Sequence, residues 1–240
     1  MNIPLKKVFR RLAASVMLFT AEAILAALLF ISLVLTFLAI AHYVLSNNKN
    51  SFDAAAFEFV QTYVSNSTTK VMLFFTTLGN YQFLVLANVL LTLYFLVIKR
   101  HKWYSIKIAS IALSSVTVMS LMKLWFNRSR PLMPLLEPAR GLSFPSGHAM
   151  SSVTFFGLII YYVYKNVKSR VLKIILIAIL VLLILVIGVS RVYLRVHYAS
   201  DVLAGFFAGA IWLMISIWIL KKIELYSKRE LNDVVEKVEV

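Results

Sequence analysis

Two of the four histidines in this 240-residue chain stand beside clusters of cations. The segment KLWFNRSRP supplies Lys123, Arg128 and Arg130. Read as a helix ended by Pro131, it puts Lys123 and Arg130, seven apart, on one face. FPSGH sets Pro145, Ser146, Gly147 and His148 at the mouth of an apolar run. Ser146 suits an N-cap, and Gly147 lets the backbone approach a ligand closely. The helix start offers free N–H groups and the positive end of a dipole. SRVYLRVHYASD adds Ser190, Arg191, Arg195, His197 and Asp201. His197 and Asp201 are four apart, so on a helix the carboxylate reaches one imidazole nitrogen.

Several cations, backbone donors and two imidazoles, with only Asp201 and Glu137 as nearby acids, suit a phosphate, whose oxygens match the guanidinium fork. With no cysteine in the chain, disulfides and thiolate metal sites are excluded. The surrounding positive charge works against a divalent metal and leaves a His-plus-Asp zinc site as the alternative. Each fragment alone has a plainer reading, as a structural histidine, a headgroup contact or a helix cap. Their joint arrangement and order carry the weight. His42, at the end of a span, and His101, in a basic loop, receive no role.

The elements that must position these groups are membrane helices. The chain is 61% hydrophobic, against about 45–50% for a soluble domain. Apolar runs recur at 14–42, 71–98, 104–124, 148–164, 171–190 and 200–220, near the length that crosses a bilayer. Run length and the lack of strict alternation indicate helices rather than a barrel. The expectation is all-α: one six-span domain over 1–240, with 221–240 as a tail. The first run follows KKVFRR but is too long for a signal-peptide core, so it reads as an anchor. Glu22 within it is expected to face the bundle interior or to be protonated.

The net charge is +15, and seventeen of the 25 basic residues fall in the amino-terminal arm, the 99–107 and 165–173 loops and the tail. That side is assigned to the cytoplasm, with both termini. The other eight are Lys49, Lys70, Lys123, Arg128, Arg130, Arg140, Arg191 and Arg195, six of them in just two segments, so something on the outer face must hold them. Nucleic-acid binding is set aside because no basic soluble domain exists to carry it. Phe52, Ala55, Ala56, Phe59, Val60 and Tyr63 form one face of an expected short interfacial helix over 51–65. Leu231, Val234, Val235 and Val238 form a weaker stripe in the tail.

The three segments read K-x6-R-P (Lys123–Pro131), P-S-G-H (Pro145–His148) and S-R-x5-H-x3-D (Ser190–Asp201). This triple motif, in this order, resembles the membrane branch of the type-2 phosphatidic-acid phosphatase superfamily. The resemblance implies that His197 attacks phosphorus and becomes a transient phosphohistidine, and that Asp201 orients it and supports its charge. It implies that His148 protonates the leaving oxygen and then helps activate water. Lys123, Arg130, Ser146, Gly147 and Arg191 would hold the phosphoryl oxygens, without a metal or other cofactor. Arg128 and Arg195 lie outside the motif. The two histidines would need opposite protonation states, with neighbouring cations keeping His197 neutral and bound phosphate holding the proton on His148.

Reactive groups at the outer bilayer boundary would meet a lipid headgroup. The expected partners are the bilayer and a lipid phosphate or diphosphate, in a multi-pass protein of the cell (inner) membrane with its active site on the periplasmic or extracellular side. Substrates implied by the resemblance are undecaprenyl diphosphate, first among them, phosphatidylglycerophosphate, phosphatidate and lipid A phosphates. Three rivals stand beside this: a lipid-to-acceptor phosphotransferase, a non-enzymatic lipid-binding or transport protein, and a vanadium haloperoxidase relative, a branch whose members are soluble.

Overall fold

The computed structural model describes residues 5–46, 51–136 and 140–238, with side-chain surroundings described within 21–229. Glu137 and the side chains of the tail stripe at Leu231, Val234, Val235 and Val238 lie outside the described residues. The described residues form eight α-helices: α1 (Leu5–Leu45), α2 (Ser51–Gln61), α3 (Asn66–Leu78), α4 (Tyr81–Leu93, continued by a π-helical turn Tyr94–Ile98), α5 (Lys102–Phe126), α6 (Gly147–Asn166), α7 (Arg170–Tyr193) and α8 (Ala199–Val238). They contain no strand. The fold is all-α and polytopic, as the apolar runs require.

Five helices are long and apolar enough to cross a membrane: α1, α4 with its π-turn, α5, α7 and α8. The sixth expected span, α6, is absent from that set although its 20 residues give about 30 Å of helix. The reason is its composition: His148, Ser151, Ser152 and Thr154 crowd its first turns. It packs against α8, α7, α5 and α4, so much of its surface faces protein rather than lipid, and Ser152 and Thr154 are buried on it. Close packing of α6 on α8 depends on small residues, as is usual between membrane helices: a Cβ on Gly205 would lie 2.7 Å from the Ser146 carbonyl oxygen.

The second expected span, 71–98, is two helices. α3 ends at Gly79, and the Asn80 side chain caps α4 by accepting from Phe83 N–H at 2.8 Å. A hydropathy average passes over such a break because its two residues are flanked by apolar ones. Glu22 is exposed, not turned to the bundle interior.

The stripe assigned to α2 also differs. Phe52, Phe59 and Tyr63 are exposed, whereas Ala56, Phe57 and Val60 pack on a core of Ala149, Val192, Ala199 and Val202. The buried residue of α2 is Asp53. The inward face is therefore rotated by about one residue from the most apolar line, because a buried carboxylate is directing it.

Candidate active site

The ends of α5 and α7, the starts of α6 and α8 and the α3–α4 break meet at one end of the bundle. α5 stops at Phe126, not at Pro131. Asn127 is left-handed (φ 45°) and its N–H donates to the Lys123 carbonyl. Lys123 and Arg130 therefore do not share a helix face; Arg130 comes from the loop that follows. That loop is tied down by Ser143 N–H to Arg128 O (2.8 Å), Leu135 N–H to Leu194 O (3.1 Å) and Ser146 N–H to Asp201 O (3.0 Å). Phe144, fully buried, anchors it against the rings of Phe37 and Phe126.

His197 lies in the turn between α7 and α8, 1% exposed. Its N–H and that of Val196 both donate to Arg191 O. Asp201 is in the first turn of α8, and its Oδ2 accepts the Tyr198 N–H at 2.9 Å, reaching back to cap the helix that carries it. The pair is not the helical i,i+4 contact expected. α8 begins at Ala199, and His197 Nδ1 stands 3.5 Å from Asp201 Oδ2, at the limit of a direct hydrogen bond. The Ser143 hydroxyl closes the gap, 3.3 Å from Nδ1 and 2.5 Å from Oδ2. On the opposite edge of the ring, Arg130 Nη1 is 3.2 Å from Nε2. The tautomer that satisfies both edges carries its proton on Nδ1 and leaves the Nε2 lone pair facing Arg130. Burial pushes the imidazole down from its usual value to about 4; Asp201 opposes this, and Arg130 and Arg191 push the same way as burial. His197 is thus neutral near pH 7, with desolvation the leading cause and the cations secondary.

Three cations converge here without a carboxylate within 4 Å among the described residues. Lys123 Nζ donates to Leu142 O at 2.6 Å. Arg130 donates from Nε to Gly141 O (3.0 Å) and from Nη1 to Val196 O (2.9 Å). Arg191 donates from Nη1 to the Thr76 hydroxyl of α3, and its buried Nε has no partner. Arg191, His197, Arg130 and Lys123 surround His148, which sits in the first turn of α6. Ser146 precedes that helix but does not cap it with its side chain. Its hydroxyl is buried and unpartnered, an orphan group of the kind a bound oxyanion would satisfy. A Cβ on Gly147 would lie 2.9 Å from Met119 Sδ, so this glycine sits in close packing between α6 and α5, and a larger residue would have to displace the flexible Met119 side chain.

The remaining two basic residues have other work. Arg128 pairs with Asp201 Oδ1 (2.6 Å) and Asp53 Oδ2 (2.9 Å) and lies over the Tyr198 ring. Arg195 (φ 53°) donates to Gln61 of α2. Four polar residues at the site were not foreseen: Ser143, Asp53, Ser200 and Thr76. Asp53 had a signal, being one of only ten acidic residues and sitting on a helix otherwise read as amphipathic; a serine in a loop offers none. No three His, Asp or Glu side chains among the described residues are grouped to hold a metal ion.

Fold and site together define a polytopic membrane protein with a cluster of cations and a buried imidazole at one end of its bundle. The chain belongs to the PAP2 superfamily, whose family model matches residues 103–224. It is 29% identical over 203 residues to phosphatidylglycerophosphatase B of Bacillus subtilis (strain 168), covering 83% of this chain and 98% of that protein. The crystal structure of the first transmembrane PAP2-type phosphatidylglycerolphosphate phosphatase from Bacillus subtilis matches with a TM-score of 0.72 and 27% identity, over 81% of this chain and 96% of that one. LpxE of Aquifex aeolicus shares the fold, with a TM-score of 0.56 and 22% identity over 71% of this chain and 98% of that one. The protein is a membrane-integral lipid phosphatase, a hydrolase.

Proposed function

We propose that this protein releases phosphate from a lipid phosphate or diphosphate through a phosphohistidine on His197. The observation that carries this reading is the Nε2 edge of His197. It is neutral, backed across the ring by Asp201 and Ser143, and faces an arginine with no carboxylate partner among the described residues. In the first step Nε2 attacks phosphorus as the phosphorus–oxygen bond to the lipid breaks, and His148 gives its proton to the departing oxygen. In the second, water attacks phosphorus with His148 taking its proton, the phosphorus–nitrogen bond breaks, and inorganic phosphate leaves. Lys123, Arg130, Arg191, the Ser146 hydroxyl and the N–H groups at Gly147 would carry the charge on the equatorial oxygens, where phosphoryl transfer most needs support. No step in this scheme calls for a metal.

A lateral route for lipid tails supports the substrate class. A cavity of about 430 Å³ opens between α4, α5 and α6, lined by Leu84, Val89, Leu113, Val116, Phe155 and Met119. Met119 also touches the Gly147 position at the site. The similarity to a phosphatidylglycerophosphatase puts phosphatidylglycerophosphate beside undecaprenyl diphosphate as the substrates to test first. The lysine and arginine bias assigns the site to the outer face of the cell membrane, with both termini cytoplasmic.

The test is a panel of purified lipid phosphates assayed for phosphate release, with and without a chelator. The expected result is release from at least one lipid in both conditions and none from His197→Ala. Wild-type release by His197→Ala would remove the nucleophile assignment. A phosphorylated acceptor in place of free phosphate would make the protein a phosphotransferase.

A further inference from the structure

Asp53 is a carboxylate 1% exposed on a helix that crosses no membrane. All its contacts lead to the nucleophile. Oδ1 accepts the Ser200 N–H at 2.8 Å, and Oδ2 accepts the Ser200 hydroxyl at 2.7 Å and Arg128 Nη2 at 2.9 Å. The other nitrogen of that fork, Nη1, donates to Asp201 Oδ1 at 2.6 Å and to the Ser200 hydroxyl at 2.8 Å. Tyr198 stacks beneath the guanidinium, 4.1 Å from centroid to Cζ. Three of the five N–H donors of Arg128 are thus committed to Asp53, Asp201 and Ser200. It fills the space between two carboxylates.

We infer that Asp53 is a positioning residue for the phosphatase reaction, acting through Arg128 on Asp201 so that the charge of Arg128 is shared and Asp201 keeps a negative charge for His197. This rests on His197 being the nucleophile. The charges explain why two acids are needed. Arg128 with Asp201 alone is neutral, and the imidazole would become cationic on phosphorylation above a neutral pair, ringed by Arg130, Arg191 and Lys123. Adding Asp53 leaves one net negative charge under the ring. The shared fork also fixes Asp201 Oδ1, so that Oδ2 is left for Ser143, the Tyr198 N–H and the imidazole. A buried ion pair could instead serve folding only, since removing one partner of such a pair destabilises a protein whatever its role. The experiment must separate these two roles.

The test is a double-mutant cycle on kcat per folded enzyme, using Asp53→Asn, Asp201→Asn and the double variant, with His197→Ala as a control. Melting temperature in detergent is measured for all four. Asp53→Asn is expected to lower kcat about tenfold, with KM changed less than about twofold, and to have almost no further effect in the Asp201→Asn background, since contacting groups in one network are strongly non-additive. Arg128→Lys, which reaches one carboxylate but not both, should reproduce the loss if Asp53→Asn does not fold. Equal losses in both backgrounds, or a lowered melting temperature with unchanged kcat, would overturn the positioning role while leaving His197 as nucleophile. Full activity in His197→Ala would overturn both.

Discussion

Arg130 Nη1 lies 3.2 Å from His197 Nε2, the nitrogen proposed above to attack phosphorus. The cation faces the lone pair that the proposed attack requires. A phosphoryl oxygen is the better acceptor for a guanidinium, so binding would transfer this hydrogen bond from nitrogen to oxygen and free the lone pair as the reaction begins. Lysine has one point charge and cannot keep the Nε bond to Gly141 and the Nη1 bond to Val196 while reaching the phosphate. Arg130→Lys is expected to lower kcat/KM by about 10²–10³, the range for loss of one oriented oxyanion donor, measured by steady-state phosphate release.

The second prediction concerns pH. As the proposed nucleophile His197 would attack only when neutral, and burial lowers its pKa to about 4. The acid limb of kcat/KM due to this residue should therefore fall near pH 4, well below 6.5. Comparing two lipid phosphates with different phosphate ionisations separates the enzyme limb from the substrate limb, since only the substrate limb moves. The same shift affects stability. Between pH 6.5 and 4 the unfolded chain binds a proton at this position and the folded protein does not. The contribution from a neutral His197 is complete above pH 6.5 and is lost as pH falls through about 4. Melting scans in detergent should show this loss in wild type and a smaller one in His197→Gln.

Ser143 provides a third test. Its hydroxyl joins the Nδ1 of His197 to Asp201 across a 3.5 Å gap. A hydrogen bond to a charged group contributes about 1.5–3 kcal/mol, so Ser143→Ala should reduce kcat by about ten- to a hundredfold. KM should hardly move, because the Ser143 hydroxyl bonds His197 and Asp201 and none of Lys123, Arg130 and Arg191, the cations proposed to hold phosphate. A rise in KM at constant kcat would instead make Ser143 part of the substrate pocket.

Much of this was legible in the sequence, for physical reasons that can be named. The spans are legible because bilayer thickness fixes run length. That the eight motif residues gather at one end of the bundle was legible because six cations at the supposed outer face needed a reason to be there. The supports were not. Ser143 works by its place in a stapled loop, and serine is common in loops. Asp53 lies some 150 residues before Asp201, on a helix whose most apolar line pointed the wrong way. The break at Gly79–Asn80 needs one cap hydrogen bond, which hydropathy averages away. α6 reads as a weak span because polar residues crowd its first turns.

Orientation has a direct test because the chain has no cysteine, so an introduced thiol has no background. Arg140 and Lys168 are both exposed and belong to loops at opposite ends of the bundle. Arg140→Cys should react with a membrane-impermeant maleimide in intact cells, and Lys168→Cys only after permeabilisation. The reverse pattern would put the site in the cytoplasm and remove the outer-leaflet substrate assignment.

The last prediction uses the α3–α4 break to isolate the acid. Gly79 packs against α6 and α7 so closely that a Cβ there would overlap Ile187 and lie 3.2 Å from His148 Cδ2. Ile187 is fully buried and has little room to retreat, so part of the displacement in Gly79→Ala is passed to His148. His197, Asp201 and Ser143 are not among the nearest atoms and should keep their geometry. The variant should then resemble loss of the acid rather than loss of the nucleophile. Phosphorylation by a substrate with a good leaving group, which needs little protonation, should proceed at close to the wild-type rate. Release from a lipid alcohol, a poor leaving group, should slow by about 10²–10³ if most of the acid contribution, typically 10²–10⁴-fold, is lost. Comparing an aryl phosphate with a lipid phosphate reads the difference. Equal slowing of both would mean that the added methyl disturbs the whole pocket and that Gly79 does not act on His148 in particular.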